Sequence, residues 1–232
     1  MLAENLSSVK EKIAQAISLR KNEKLTGDKV TLVAVTKNHP PEVITEIEDL
    51  GIPNIGENRV QEAVHKQEAL GKIGYWHLIG HLQTNKARQA VAHFDLIESV
   101  DSGRLLALLD KEAAKIDKIQ DVLLQLNIAH EEQKSGFEKD EYLELLPRLA
   151  EFKNIRGRGL MVIAQKCSDV EATRPVFAAG YRAFARLREQ YPNVDILSMG
   201  MSSDYVVAIE EGANMVRVGT ALFGQRDYNL KF

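Results

Sequence analysis

Short apolar runs alternate with amphipathic ones along almost the whole chain. The first amphipathic stretch places Leu6, Val9, Ile13 and Ile17 at steps of three and four, with Lys, Arg and Glu filling the other face. This spacing predicts an N-terminal helix over about residues 1–25, ended by Thr26-Gly27-Asp28. Strand candidates follow at Val30–Thr36, Asn54–Gly56, Trp76–Ile79, Leu96–Glu98, Asp121–Ile128, Ile155–Met161, Ile196–Ser198 and Met215–Val218. Helical stripes lie between them, such as Leu105/Leu108/Leu109/Ile116 and Tyr142/Leu145/Leu146/Leu149, with others around Tyr181–Gln190 and Tyr205–Glu211. Regular strand–helix alternation implies parallel strands with helices packed outside. Eight such units close most simply into a (β/α)8 barrel of TIM type, here over about residues 30–224, although the 232-residue chain is shorter than the roughly 250 typical of that fold. An open doubly wound sheet is the alternative. No Gly- or Ser-rich linker and no composition break divides the chain, so residues 1–232 read as one barrel domain.

The barrel reading gives the strand ends a meaning, because barrel chemistry is built at the C-terminal ends of the strands. The first strand, in "VTLVAVTKNHPPE", ends on Lys37. The second leads into Gly56-Glu57-Asn58-Arg59, and His77 and His81 bracket the end of the third. In "LSMGMSSD", Gly200 allows close backbone approach to a ligand, and Ser202, Ser203 and Asp204 are N-cap types ahead of a helix. In "VRVGTALFG", Gly219 and Thr220 open a turn after the last strand. Backbone N–H groups at such turns favour a phosphate dianion, and the loops after strands seven and eight are where barrels commonly bind one. Either segment alone reads equally well as an ordinary capped turn. Together, a lysine and a phosphate cup on one rim point to Schiff-base chemistry: an aldolase acting on a phosphosugar, or a lysine tethering pyridoxal phosphate (PLP). An inward Lys37 would share its face with Val35, Val33 and Thr31, above a dry core where desolvation favours the neutral amine.

Composition narrows the partners. Apolar residues make up 44% and charged residues 27%, with a formal net charge of −3, which offers no basic surface for nucleic acid. The single Cys167 cannot form an internal disulfide, the N-terminus lacks a signal-type apolar core, and no apolar run approaches the roughly 20 residues of a membrane span. A cytoplasmic protein is expected. His39, His65, His77, His81, His93 and His130 show no metal-ligand spacing on one element. "GHLQTNKARQ" reads as a helix capped by Thr84.

The stretches "LVAVTKNHP", "IGENRVQE", "WHLIGHLQTNK", "LNIAHEEQKSGF" and "LSMGMSSDYVVAIEEGANMVRVGTALFG", spanning Val30 to Gly224, resemble the PLP homeostasis protein family. Those are small PLP-binding proteins with the fold of the alanine racemase N-terminal domain. The resemblance implies that Lys37 forms the internal aldimine, that Ser202, Gly219 and Thr220 bind the phosphate, and that Arg217 faces the pyridine nitrogen. Asn58 and His77 match polar positions lining the ring and mouth. It also implies a role in vitamin B6 and amino-acid homeostasis without strong turnover, with PLP-dependent apo-enzymes as acceptors; an enclosed barrel with an N-terminal helix is, separately, expected to be a monomer. The sequence departs from the usual family pattern at Gln133, Val162, Gln165 and Lys166.

Two features weigh on the alternative, a weak PLP-dependent amino-acid racemase. A guanidinium at the pyridine nitrogen disfavours its protonation and weakens the electron sink. The competing view of Arg217 is a barrel-core arginine paired with a carboxylate. Racemisation also needs a second acid/base group, supplied in alanine racemases by a tyrosine of a C-terminal domain. The chain ends at Phe232 without room for one, and nothing places Tyr75, Tyr205 or Tyr228 over the ring.

Overall fold

The computed structural model describes residues 1–21, 23–128, 135–165 and 167–224. His130, Gln133, Lys166 and Tyr228 lie outside the described residues.

Eight parallel strands, β1 (Thr31–Val35), β2 (Asn54–Glu57), β3 (Tyr75–Leu78), β4 (Leu96–Val100), β5 (Gln120–Leu126), β6 (Ile155–Val162), β7 (Ile196–Met201) and β8 (Met215–Val218), pair in chain order. The barrel closes through β1 and β8, with Val33 opposite Arg217. Helices α2 (Glu42–Asp49), α3 (Val60–Leu70), α4 (Ala87–His93), α5 (Gly103–Ala114), α6 (Lys139–Leu145), α7 (Arg174–Gln190), α8 (Tyr205–Glu210) and α9 (Thr220–Phe223) follow the strands in turn, after the N-terminal α1 (Leu2–Ser18). The strands are buried on both faces, which is why they read as continuous apolar runs.

Two cores result. The larger lies between the sheet and the helices and takes in Trp76, Phe94, Phe177 and Phe184. The smaller fills the barrel with Val33, Leu96, Leu123, Met161 and Met215. Helix α1 lays Leu6, Val9, Ile13 and Ala16 against the larger core, with Asn5 Nδ2 donating to Leu222 O at 2.8 Å.

Helix α1 is shorter than its periodicity predicts. It stops at Ser18 because Arg20 leaves the helical path, donating from Nε to Ile209 O (2.8 Å) and from Nη2 to Ala213 O (2.9 Å). Those bonds satisfy carbonyls at the end of α8 and outweigh two more turns of exposed helix. Thr84 is not a side-chain cap. It begins a short 3-10 turn, Thr84–Lys86, ahead of α4, and no side-chain cap bond forms at either start.

The N-terminal end of the barrel is tied by charge. Asp121 accepts from Arg156 and Arg158, and Arg158 also pairs with Asp195 at 2.6 Å. That end reads as stability, leaving the opposite rim for chemistry.

Candidate functional site

Period-two alternation carries β1 through Thr31, Val33 and Val35 on the inner face and on to Lys37 at the rim. Thr36 points the other way, and its hydroxyl donates to Glu57 at 2.6 Å. Lys37 therefore reaches over the barrel mouth. A cavity of about 720 Å³ opens there, lined by Lys37, Asn58, Ser202, Arg217, Gly219 and Thr220 together with Val35, Ile79, Ile163, Met201, Ser203 and Ala221. A second groove of about 770 Å³ runs beside it between the β2 and β3 loops. It shares Asn58 but carries neither Lys37 nor Arg217.

The β7 and β8 loops are stapled to each other. Ser202 Oγ accepts from the N–H groups of Gly219 (3.1 Å) and Ala221 (3.3 Å), so three of the lining residues form one unit. Asp204, ahead of α8, accepts the N–H of Met201 at 2.6 Å and holds the bend after β7. Burial raises the Asp204 carboxyl, against the pull of that hydrogen bond and of Arg217. Gly200 does not open the cavity. At φ +92°, a Cβ there would lie 2.7 Å from Ala208 Cβ and from Tyr205 Cα, so the glycine lets α8 approach β7. Gly80, which lines the neighbouring groove, lies behind Asn58: a Cβ there would come 2.4 Å from Asn58 O.

Beneath the cavity a chain of polar side chains crosses the barrel interior. Arg217 donates to Ser198 Oγ (2.5 Å) and to Val162 O (3.0 Å). Ser198 donates to Glu98 Oε2 at 2.6 Å, while Glu98 Oε1 meets His77 Nδ1 at 2.8 Å. His77 Nε2 faces Asn54 Oδ1 at 3.1 Å. Burial alone would raise the Glu98 carboxyl. The His77 hydrogen bond, the charges of His77 and Arg217 and the Ser198 hydroxyl outweigh it and hold Glu98 below the ordinary carboxylate range. Burial lowers Arg217, against the opposing pull of Glu98 and Asp204.

Two expectations change. His77 does not line the mouth. It is fully buried one layer below, because alternation gives the face of a strand but not the depth of a residue along the barrel. Arg217 satisfies both readings offered for it, since it lines the cavity and lies 3.7 Å from a buried carboxylate, Glu98. Sequence reasoning missed Ile79 and Ile163 as apolar walls, although each is the next inward position after a strand. His81, exposed, pairs with Asp101 at 2.9 Å and belongs to a different layer from His77. Among the described residues no three His, Cys, Asp or Glu side chains group as a metal site.

The arrangement presents an amine, a fixed guanidinium, three hydroxyls and two apolar walls around one space. It suits a flat, apolar ring that carries an anionic arm and a carbonyl. Over residues 10–227 the chain matches the family model described as "Alanine racemase, N-terminal domain". It is 40% identical over 235 residues to the pyridoxal phosphate homeostasis protein of Escherichia coli (strain K12), covering 99% of each chain. The chain belongs to the pyridoxal phosphate homeostasis protein family.

A solved structure of PipY from Synechococcus elongatus PCC7942, with PLP bound, is 40% identical with a TM-score of 0.81, covering 97% of this chain and 100% of that one. Alanine racemase of Clostridium difficile 630 shares the fold at 16% identity and a TM-score of 0.73, and this chain covers 58% of it.

Proposed function

We propose that this chain binds PLP in the rim cavity and holds it as an internal aldimine on Lys37, serving PLP and amino-acid homeostasis without strong turnover. The observation that carries the proposal is the convergence of Lys37, Arg217, Ser202, Gly219 and Thr220 on one cavity. PLP-bound PipY and the names of the family's members support it.

The donor set fits the cofactor. The hydroxyls of Ser202, Ser203 and Thr220, with the backbone of the stapled loops, would hold the phosphate. Val35, Ile79 and Ile163 would flank the ring. Lys37 Nζ would hold the cofactor through a C=N bond to its aldehyde carbon, the aldehyde oxygen and two amine hydrogens leaving as water. When bound, PLP supplies an electron sink for amino-acid chemistry. Arg217 would limit that sink, because a charged guanidinium next to the pyridine nitrogen would disfavour a proton there. Ser198, Val162 O and Glu98 fix the guanidinium in place, so its orientation is built into the barrel core. Among the described residues lining the cavity there is no tyrosine, histidine or carboxylate to act as a second acid/base. Within the same proposal, the protein is a cytoplasmic monomer that passes PLP to PLP-dependent apo-enzymes.

Absorption spectroscopy with added PLP tests the reading. The wild type should gain a visible band that Lys37→Ala lacks. A protein that stays colourless with excess PLP would overturn it. Turnover of any of a panel of L-amino acids at ordinary enzyme rates, about 1–10³ s⁻¹, would favour the racemase instead.

A further inference from the structure

A buried charge cluster lies on the outer side of the Lys37 peptide, away from the cavity. Lys66, on α3, is fully buried. Its ammonium donates to Thr36 O (2.8 Å), Glu57 Oε1 (2.7 Å) and Glu62 Oε1 (2.8 Å). Glu62 Oε1 also accepts the N–H of Asn38 at 2.6 Å. The backbone group before Lys37 and the one after it are therefore both bonded to the same ion pair. Asn38 needs that hold. Its φ of 58° lies in the left-handed region, which costs a non-glycine residue free energy. Surface strand ends do not require a desolvated ammonium, and burying one is expensive unless its partners are well placed.

We propose that Lys66 and Glu62 are positioning residues for Lys37, a hydrogen-bonded clamp on the Thr36–Asn38 backbone that sets the direction in which the lysine leaves β1. The inference rests on the reading of Lys37 as the PLP anchor. Its chemistry is that of preorganisation. An amine on a four-carbon stem can miss the aldehyde by an ångström if its backbone rocks, and misplacement on that scale is costly for bond formation. Glu62 and Lys66, one helical turn apart on α3, transmit the rigidity of that helix to the strand end.

The experiment compares Glu62→Leu with Glu62→Gln. Leucine removes the acceptor for the Asn38 N–H, whereas glutamine keeps one. PLP affinity is read by absorbance titration, and folding of the PLP-free protein by far-UV circular dichroism and thermal melting. The expected result is a loss of PLP affinity of about tenfold or more in Glu62→Leu, the scale of leaving one part-buried backbone N–H without an acceptor. Glu62→Gln should recover most of that loss. Wild-type affinity in a folded Glu62→Leu protein, or an equal loss in Glu62→Gln, would overturn the clamp. Should Glu62→Leu fail to fold, Lys66→Met in the Glu62→Gln background decides, since it removes the donor to Thr36 O together with the bonds to Glu57 and residue 62, and leaves an acceptor for the Asn38 N–H. Unchanged PLP affinity there overturns the proposal. Borohydride reduction of the wild type separates the two readings. No adduct on Lys37 means that the anchor itself is wrong, whereas an adduct with unaffected variants means that only the clamp is.

Discussion

Glu57 is fully buried beside Lys66, and its Oε2 has no hydrogen-bond partner while Oε1 accepts from both Lys66 and Thr36. Burial, only partly offset by Lys66, pushes its carboxyl from 4.5 up to about 7. A carboxyl raised in the folded state binds more protons there than in the unfolded chain. Its contribution is fully present below about pH 4.5 and is lost as the pH rises through about 7. A shift of that size corresponds to about 3 kcal/mol. Glu57→Gln should remove the dependence. The amide oxygen can accept from Lys66 and Thr36, and no charge develops on the orphaned side. Urea unfolding of both proteins at pH 5 and pH 8 measures it, because other titrating groups cancel in the difference. The variant should gain on the wild type by roughly 2–3 kcal/mol between the two pH values. A difference that does not change with pH would refute the argument that Glu57 titrates near neutrality in the folded protein.

Glu98 works in the opposite sense. Held low by His77 and Arg217 against its burial, it adds stability above its unfolded value near 4.5, and this is lost as the pH falls through the lower folded value. Glu98→Leu strands His77 and Arg217 without their carboxylate and should cost about 3–5 kcal/mol in chemical denaturation. Gly200→Ala adds a Cβ 2.7 Å from α8 atoms at a positive φ, and should cost about 2 kcal/mol or more. Gly80→Ala presses a Cβ against Asn58 O at 2.4 Å and should weaken PLP binding, whereas Gly103→Ala, with open space around it at the start of α5, should melt at or slightly above the wild-type temperature.

Much of the barrel was legible because parallel strands buried on both faces must be apolar throughout. Strand β8 has the bounds its apolar run implies, and the others differ by one to three residues at their ends. The alternation that puts Lys37 on the face of Val35 and Val33 also holds, since a period of two leaves no choice once one face is known. Depth was not legible. His77 shares the inner face with Ile79 but lies one layer lower, where Glu98 and Asn54 close over it. The clamp was half legible: Glu62 and Lys66 stand four apart in a helical stretch, a spacing usually met on solvated surfaces. That this pair faces inward depends on how α3 lies on β1 and β2, which no local pattern contains. Helix α1 was overrun because its last turns are amphipathic, and the bonds that end it come from Arg20 to residues nearly two hundred positions away.

The central claim is the covalent bond at Lys37. The measurement closest to it is borohydride reduction of the PLP-loaded protein followed by peptide mass mapping. One phosphopyridoxyl group fixed on the Lys37 peptide, and absent from Lys37→Ala, is the expected result. A label spread over surface lysines, or one that persists in Lys37→Ala at full stoichiometry, would contradict the account.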